Sequence, residues 1–123
     1  MIPFSRADRV SGLIQEVLSE LLKKDIHDPR LAMATITGVK MSRDLKLARI
    51  YFAIYGDSQK SEAAAQGFES ARGFIKRSLA RRLGLRYMPD LQFFYDESYD
   101  YGSHIEQLLE KISTDNGPDN QSD

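Results

Sequence analysis

In residues 5–24 the apolar side chains Val10, Leu13, Ile14, Val17, Leu18, Leu21 and Leu22 recur at intervals of three and four. That spacing puts them along one face of an α-helix and leaves the charges on the other. A helix with one apolar face cannot bury it alone, so the rest of the chain must supply a second layer. Ser5 is placed to cap the start. The helix should end before Asp28-Pro29-Arg30, because Pro29 steers Asp28 away from helical angles. Arg6 and Arg9 fall in the first turn, where the helix dipole slightly disfavours positive charge. They read as solvated arginines rather than as a second patch for a polyanion, since exposed arginines need no partner.

The second layer follows directly. Residues 32–55 are rich in β-branched and aromatic side chains, with turn residues at Ser42-Arg43-Asp44. This predicts a hairpin over about 32–41 and 46–55. In its second strand Ala48, Ile50, Phe52 and Ile54 should face the core, alternating with Leu47, Arg49, Tyr51 and Tyr55. The first strand alternates too poorly for its faces to be assigned. A long helical stretch follows, capped by Asp57, Ser58 or Ser61 and stopping near Gly84, with Pro89 beyond. Residues 91–96 predict a third strand. Ser103-x-x-Glu106 is a capping box for a last helix whose apolar face is Ile105, Leu108, Leu109 and Ile112. The order helix–strand–strand–helix–strand–helix predicts an α+β fold: a three-stranded sheet with helices packed on one face. Residues 1–113 form its one domain, and the polar residues 114–123 an acidic disordered tail.

At 123 residues the chain suits a single domain, and it contains no cysteine. Disulfides, thiol nucleophiles and cysteine-ligated metals are thereby excluded. No apolar run is long enough to span a membrane, and the start lacks the apolar region of a signal peptide. A soluble cytoplasmic protein without cofactor is the expectation. The formal net charge of −1 is an average. Residues 1–95 carry 16 Lys and Arg against 10 Asp and Glu, giving +6; residues 96–123 carry one Lys against 8 Asp and Glu, giving −7. Screening over about 8 Å means that a ligand meets the local charge, not the sum.

The positive charge is concentrated in residues 70–86, where Arg72, Lys76, Arg77, Arg81, Arg82 and Arg86 occur without a single Asp or Glu. On a helical wheel Ala64, Phe68, Ala71, Ile75, Leu79 and Leu83 form one stripe, and Arg72 falls on it. Because an unpaired buried arginine is very costly, either Arg72 snorkels or the helix breaks beside it. Gly73, about 1 kcal/mol poorer than alanine in a helix, favours the second: a kink at Ala71-Arg72-Gly73. Such a break would aim backbone N–H groups and a positive dipole end at an anion. Arg77 and Arg81, four apart, repel each other in isolation, and an external polyanion would relieve them. Arg43 and Lys46 at the hairpin turn are weaker candidates for the same role. Tyr87 either stacks on a base or packs against the fold.

Several segments in order resemble one family, ribosome-binding factor A, an assembly factor of the small ribosomal subunit. They are Arg6-Ala-Asp-Arg-Val10, Ile26-x-Asp28-Pro29-Arg30, the hairpin segment from Met41 to Phe52, Ala71-Arg72-Gly73, the segment from Arg81 to Ser98, and Gly102-x-x-Ile105. The resemblance implies a type-II KH-like domain in which an Ala-x-Gly kink stands where KH domains have a G-x-x-G loop. It implies a monomeric RNA-binding factor that attaches to the immature small subunit, assists late maturation of its ribosomal RNA, and matters most in the cold. The sites expected on that reading are Arg72, Gly73, Lys76, Arg77, Arg81, Arg82 and Arg86, with Arg43 and Lys46.

Two other classes compete. A protein-interaction module would dock an acidic partner on the basic helix at 72–86. An enzyme would need a site among His27, His104 and the acidic residues Asp96, Glu97 and Asp100, whose spacing fits no known ligand motif. Neither catalysis nor a metal is expected.

Overall fold

The computed structural model describes residues 5–54 and 58–98; the expected last helix and the tail lie outside them. Helix α1 spans Arg6–Lys24. Ser5 Oγ accepts from the Asp8 N–H, and the Asp8 carboxylate accepts from the Ser5 N–H, both at 3.1 Å. This closes a capping box and puts an acid in the first turn, where the dipole favours it. Val10, Ile14, Val17, Leu18 and Leu21 are buried. Leu13, at the margin of the same stripe, is 46% exposed instead.

After α1, the carboxylate of Asp28 accepts from the Arg30 N–H at 2.9 Å and starts a single 3₁₀ turn, Pro29–Leu31. Pro29 sits at its first turn, where a missing N–H does no harm. The turn places Leu31 in the core at 2% exposure.

Strands β1 (Ala34–Met41) and β2 (Leu47–Ile54) pair antiparallel. Helix α2 (Ser58–Leu83) then crosses to β3 (Asp90–Tyr95), which pairs parallel to β2, giving the sheet order β1-β2-β3. Parallel pairing requires such a crossover. Ala48, Ile50, Phe52 and Ile54 are buried, as alternation predicts. The illegible alternation of β1 has a cause: a bulge between Ile36 and Gly38 shifts the register. The extra residue moves the inward positions from Ile36 to Val39 and Met41, so no single period of two fits the strand. Thr37, released by the bulge, donates from Oγ1 to Asp96 Oδ2 at 2.6 Å.

Both helices bury their stripes in one core with Ala48, Ile50, Phe52 and Leu91. The Phe68 ring joins α2 to the sheet, 4.8 Å from Phe52 and stacked 5.0 Å from Phe93. Aromatic pairs at this separation add to the burial of their area.

The expected break at Ala71-Arg72-Gly73 is corrected by the structure: α2 is one unbroken α-helix of 26 residues. No helix N-terminus opens at Gly73. Arg72 takes the other course left open by the wheel. It stays on the margin of the stripe and reaches outward, where its guanidinium meets Glu69 one turn back. Its side chain as a whole is 41% exposed, so the helix need not change phase. The end of α2 is as expected: Gly84 takes a positive φ of 61°, and its N–H bonds to the Ala80 carbonyl.

Candidate nucleic-acid interface

Of the six cations of residues 70–86, Arg86 lies beyond α2 and the five on the helix divide into two groups. Three pair with carboxylates. Arg72 Nη2 lies 2.8 Å from Glu69 Oε2, Lys76 Nζ is 3.3 Å from Asp90 Oδ1, and Arg82 Nη2 is 3.2 Å from Glu20 on α1. Glu69 stands just outside the acid-free stretch, while Asp90 and Glu20 are distant in sequence, so the run of charge concealed these partners. Glu20 reaches across from α1 to α2. All three pairs are exposed enough to be worth only about 0–1 kcal/mol each, so a phosphate can displace the carboxylate. Arg72 is the special case. Its Nε is buried and has no hydrogen-bond partner among the described residues.

Arg77 and Arg81 form the other part of α2's charge. Both are exposed and have no carboxylate partner among the described residues. They sit one turn apart, on a face that no described residue neutralises. Gly73 shares this face. A Cβ built on it would lie 3.2 Å from Arg77 Nη1, so the guanidinium folds back along the helix over the glycine. Arg77 and Arg81 thus stand exposed along an unbroken α2, while Arg72, Lys76 and Arg82 have the carboxylate partners that the sequence did not predict.

A second cationic cluster forms where three loops meet. The hairpin turn is held by Ser42, whose Oγ accepts from the N–H groups of Lys46 and Leu47, and by Asp44, whose Oδ1 accepts from the Ser42 hydroxyl and the Lys46 N–H. Those bonds, the Ser42 hydroxyl foremost, hold the Asp44 carboxyl below the usual aspartate value. Leu45 takes a positive φ of 63° to complete the turn. The Lys46 carbonyl accepts from the Asp90 N–H at 2.9 Å, tying the hairpin to the segment that follows α2. Arg43 is exposed at the tip. Lys46 and Arg86 line one concavity of about 360 Å³, and Arg6 lines it as well. The sequence reading set Arg6 aside as solvated; it lines the concavity together with residues of the two loops. Tyr87 is 76% exposed, with the Arg86 guanidinium 5.5 Å from its ring, so it does not pack into the fold.

Of the enzyme candidates, His104 and Asp100 lie outside the described residues. Asp28 is gripped by Arg30 through Nε and Nη2, at 3.0 and 2.7 Å. That side-chain bond holds the Asp28 carboxyl below the usual aspartate value, the reverse of what a general base near neutral pH needs. His27 and Asp28 line a larger hollow of about 700 Å³ at the other end of α1, which none of the expected site residues enters. Asp96 accepts from Thr37 and from the Ser98 N–H, bracing the exit from β3. Among the described residues no three His, Asp or Glu side chains gather as metal ligands.

Comparison with known proteins identifies the family and the fold. The sequence matches the family Ribosome-binding factor A over residues 6–109. It is 53% identical over 119 residues to ribosome-binding factor A of Desulfatibacillum aliphaticivorans, covering 97% of each chain. The fold superposes on the crystal structure of ribosome-binding factor A from Thermus thermophilus with a TM-score of 0.66, at 24% identity, covering 74% of this chain and 97% of that one. It also superposes, with a TM-score of 0.63 and 25% identity, on the Thermus thermophilus factor as fitted into a cryo-EM map of its 30S complex; 76% of this chain and 97% of that one are covered. With an unbroken stretch of sequence likeness from α1 through β3 and the same fold beneath it, this chain belongs to the ribosome-binding factor A family.

Proposed function

We propose that this chain is a non-catalytic assembly factor that binds the immature small ribosomal subunit and its ribosomal RNA, and assists late maturation of that RNA. The observation that carries the reading is the pair Arg77 and Arg81, exposed one turn apart without a carboxylate among the described residues, in a chain of this family. A relative fitted into a 30S complex supports the small subunit as the partner. Arg72, Lys76, Arg82 and Arg86 extend the cationic surface, Gly73 admits the Arg77 guanidinium, and Arg43 and Lys46 supply a second arm from the hairpin. On this reading the protein works as a cytoplasmic monomer in a KH-like type II arrangement, without metal or cofactor, and is needed most in the cold.

The test is co-sedimentation with small subunits on sucrose gradients, comparing the intact chain with an Arg77→Glu/Arg81→Glu/Arg82→Glu variant of unchanged circular dichroism. The intact chain should travel with the subunit, and the variant should stay at the top. Equal co-sedimentation of both would refute the role given to α2. The alternative, a module docking an acidic protein through residues 72–86, predicts binding that survives RNase treatment of the partner fraction; the RNA reading predicts its loss.

A further inference from the structure

We propose that the concavity between the N-terminal turn of α1, the hairpin turn and the segment after α2 is a subsite for one unstacked RNA base, its flanking phosphates held by Arg6, Lys46 and Arg86. The inference rests on the RNA-binding reading above and adds to it a base-recognising site separate from the phosphate-facing side of α2.

The lining mixes two chemistries. Val10, Met41, Leu45, Leu85 and Pro89 supply apolar surface. The volume, about 360 Å³, is near the lower end of the range for small-molecule sites, about 300–1,000 Å³. Three cations stand around it against one carboxylate, Asp44. Its Oδ1 is already occupied by the turn, accepting from the Ser42 hydroxyl and the Lys46 N–H. Tyr87 also lines it and is 76% exposed, with the Arg86 guanidinium 5.5 Å from its ring centre. An exposed aromatic ring beside an arginine, in a hollow lined by apolar side chains and cations, is the composition that single-stranded nucleic acid uses: bases stack and phosphates pair. A duplex cannot present a base to such a hollow without unstacking it. An acidic peptide would satisfy the cations but would leave the ring and the apolar surface without partners.

The experiment measures fluorescence anisotropy at one salt concentration with two probes, a short labelled single-stranded oligoribonucleotide and an abasic ribose–phosphate chain of the same length. The wild-type chain should bind the base-bearing strand more tightly. Tyr87→Ala should weaken binding to that strand about tenfold while leaving the abasic chain within about twofold, and Tyr87→Phe should restore the preference. Lys46→Gln should weaken both probes by the same factor, because it touches only phosphate. Tyr87 is exposed, so its variants should keep the wild-type melting midpoint. Equal affinity of the wild type for the two probes, or equal losses on both with Tyr87→Ala, would overturn the base subsite while the phosphate-binding reading stands. Binding to neither probe, together with failure to co-sediment with small subunits, would overturn both.

Discussion

Gly67 and Gly73 lie in the same helix, yet alanine at these two positions should move stability in opposite directions. Either change removes a glycine from a helix interior and gains up to about 1 kcal/mol from propensity. At Gly73 the added methyl meets only Arg77 Nη1 at 3.2 Å, the free end of an exposed side chain that can swing away. Gly73→Ala should therefore raise stability by about 0.5–1 kcal/mol in urea unfolding, and it should weaken RNA binding if the seat of Arg77 on the glycine matters. At Gly67 the methyl would meet Leu31 Cδ2 and Cγ at 3.1 Å, and Leu31 is fixed in the core behind the 3₁₀ turn. Overpacking of this kind costs about 1–3 kcal/mol, more than the propensity gain, so Gly67→Ala should lower the urea midpoint. The same turn gives a pH prediction. Asp28 titrates below its ordinary 3.8 because Arg30 holds the ionised form. A lowered folded-state value stabilises the protein above about pH 4 and loses that contribution as pH falls through it. The stability gap between wild type and Asp28→Asn should thus be widest near neutrality and close on acidification; a gap independent of pH would contradict this account.

Helix α2 carries its charges in two classes, and substitutions should separate them. Arg77→Glu with Arg81→Glu touches no ion pair among the described residues, so folding stability should change by no more than about 0.5 kcal/mol. Each lost phosphate contact should make the slope of log affinity against log salt shallower by about 0.7–0.9. Arg82→Glu faces Glu20 at close range, and it should cost up to about 1 kcal/mol of stability as well. Adding Glu20→Arg should restore stability without restoring RNA affinity, which distinguishes the structural use of Arg82 from its use in binding. The elements themselves were largely legible from spacing: the cap at Ser5, the stripe of α1, the inward face of β2 and the glycine stop of α2. Two features were not. The faces of β1 depend on a one-residue bulge at Thr37 that no local period encodes. The course of α2 through Arg72 depended on Glu69, a partner one turn back, and the wheel treated Arg72 as if it had none. The site was legible as charge but not as geometry, because Arg6, Lys46 and Arg86 meet only through loops distant in sequence.

At the scale of the molecule the division of charge governs binding more than the sum. If about five phosphates are neutralised, the log–log salt slope should lie near −3.5 to −4.5, whereas a chain binding through its net charge would show a slope near zero. Residues 96–123 carry −7 against +6 in residues 1–95, and tethering makes the local concentration of those carboxylates high wherever they can reach the cations. We expect the tail at 114–123 to compete weakly with RNA for the basic surface. It holds only Asp115, Asp119 and Asp123, so deleting it should tighten RNA binding about two- to threefold in low salt, through screened charge alone. The gain should fade as salt rises, since the competing attraction is screened together with the binding it opposes. Changing the three aspartates to asparagine in the full-length chain should reproduce the gain, because charge and not bulk is the agent. If deletion tightens binding and the asparagine variant does not, the tail acts by occupying space; if neither changes affinity at low salt, it plays no part in binding.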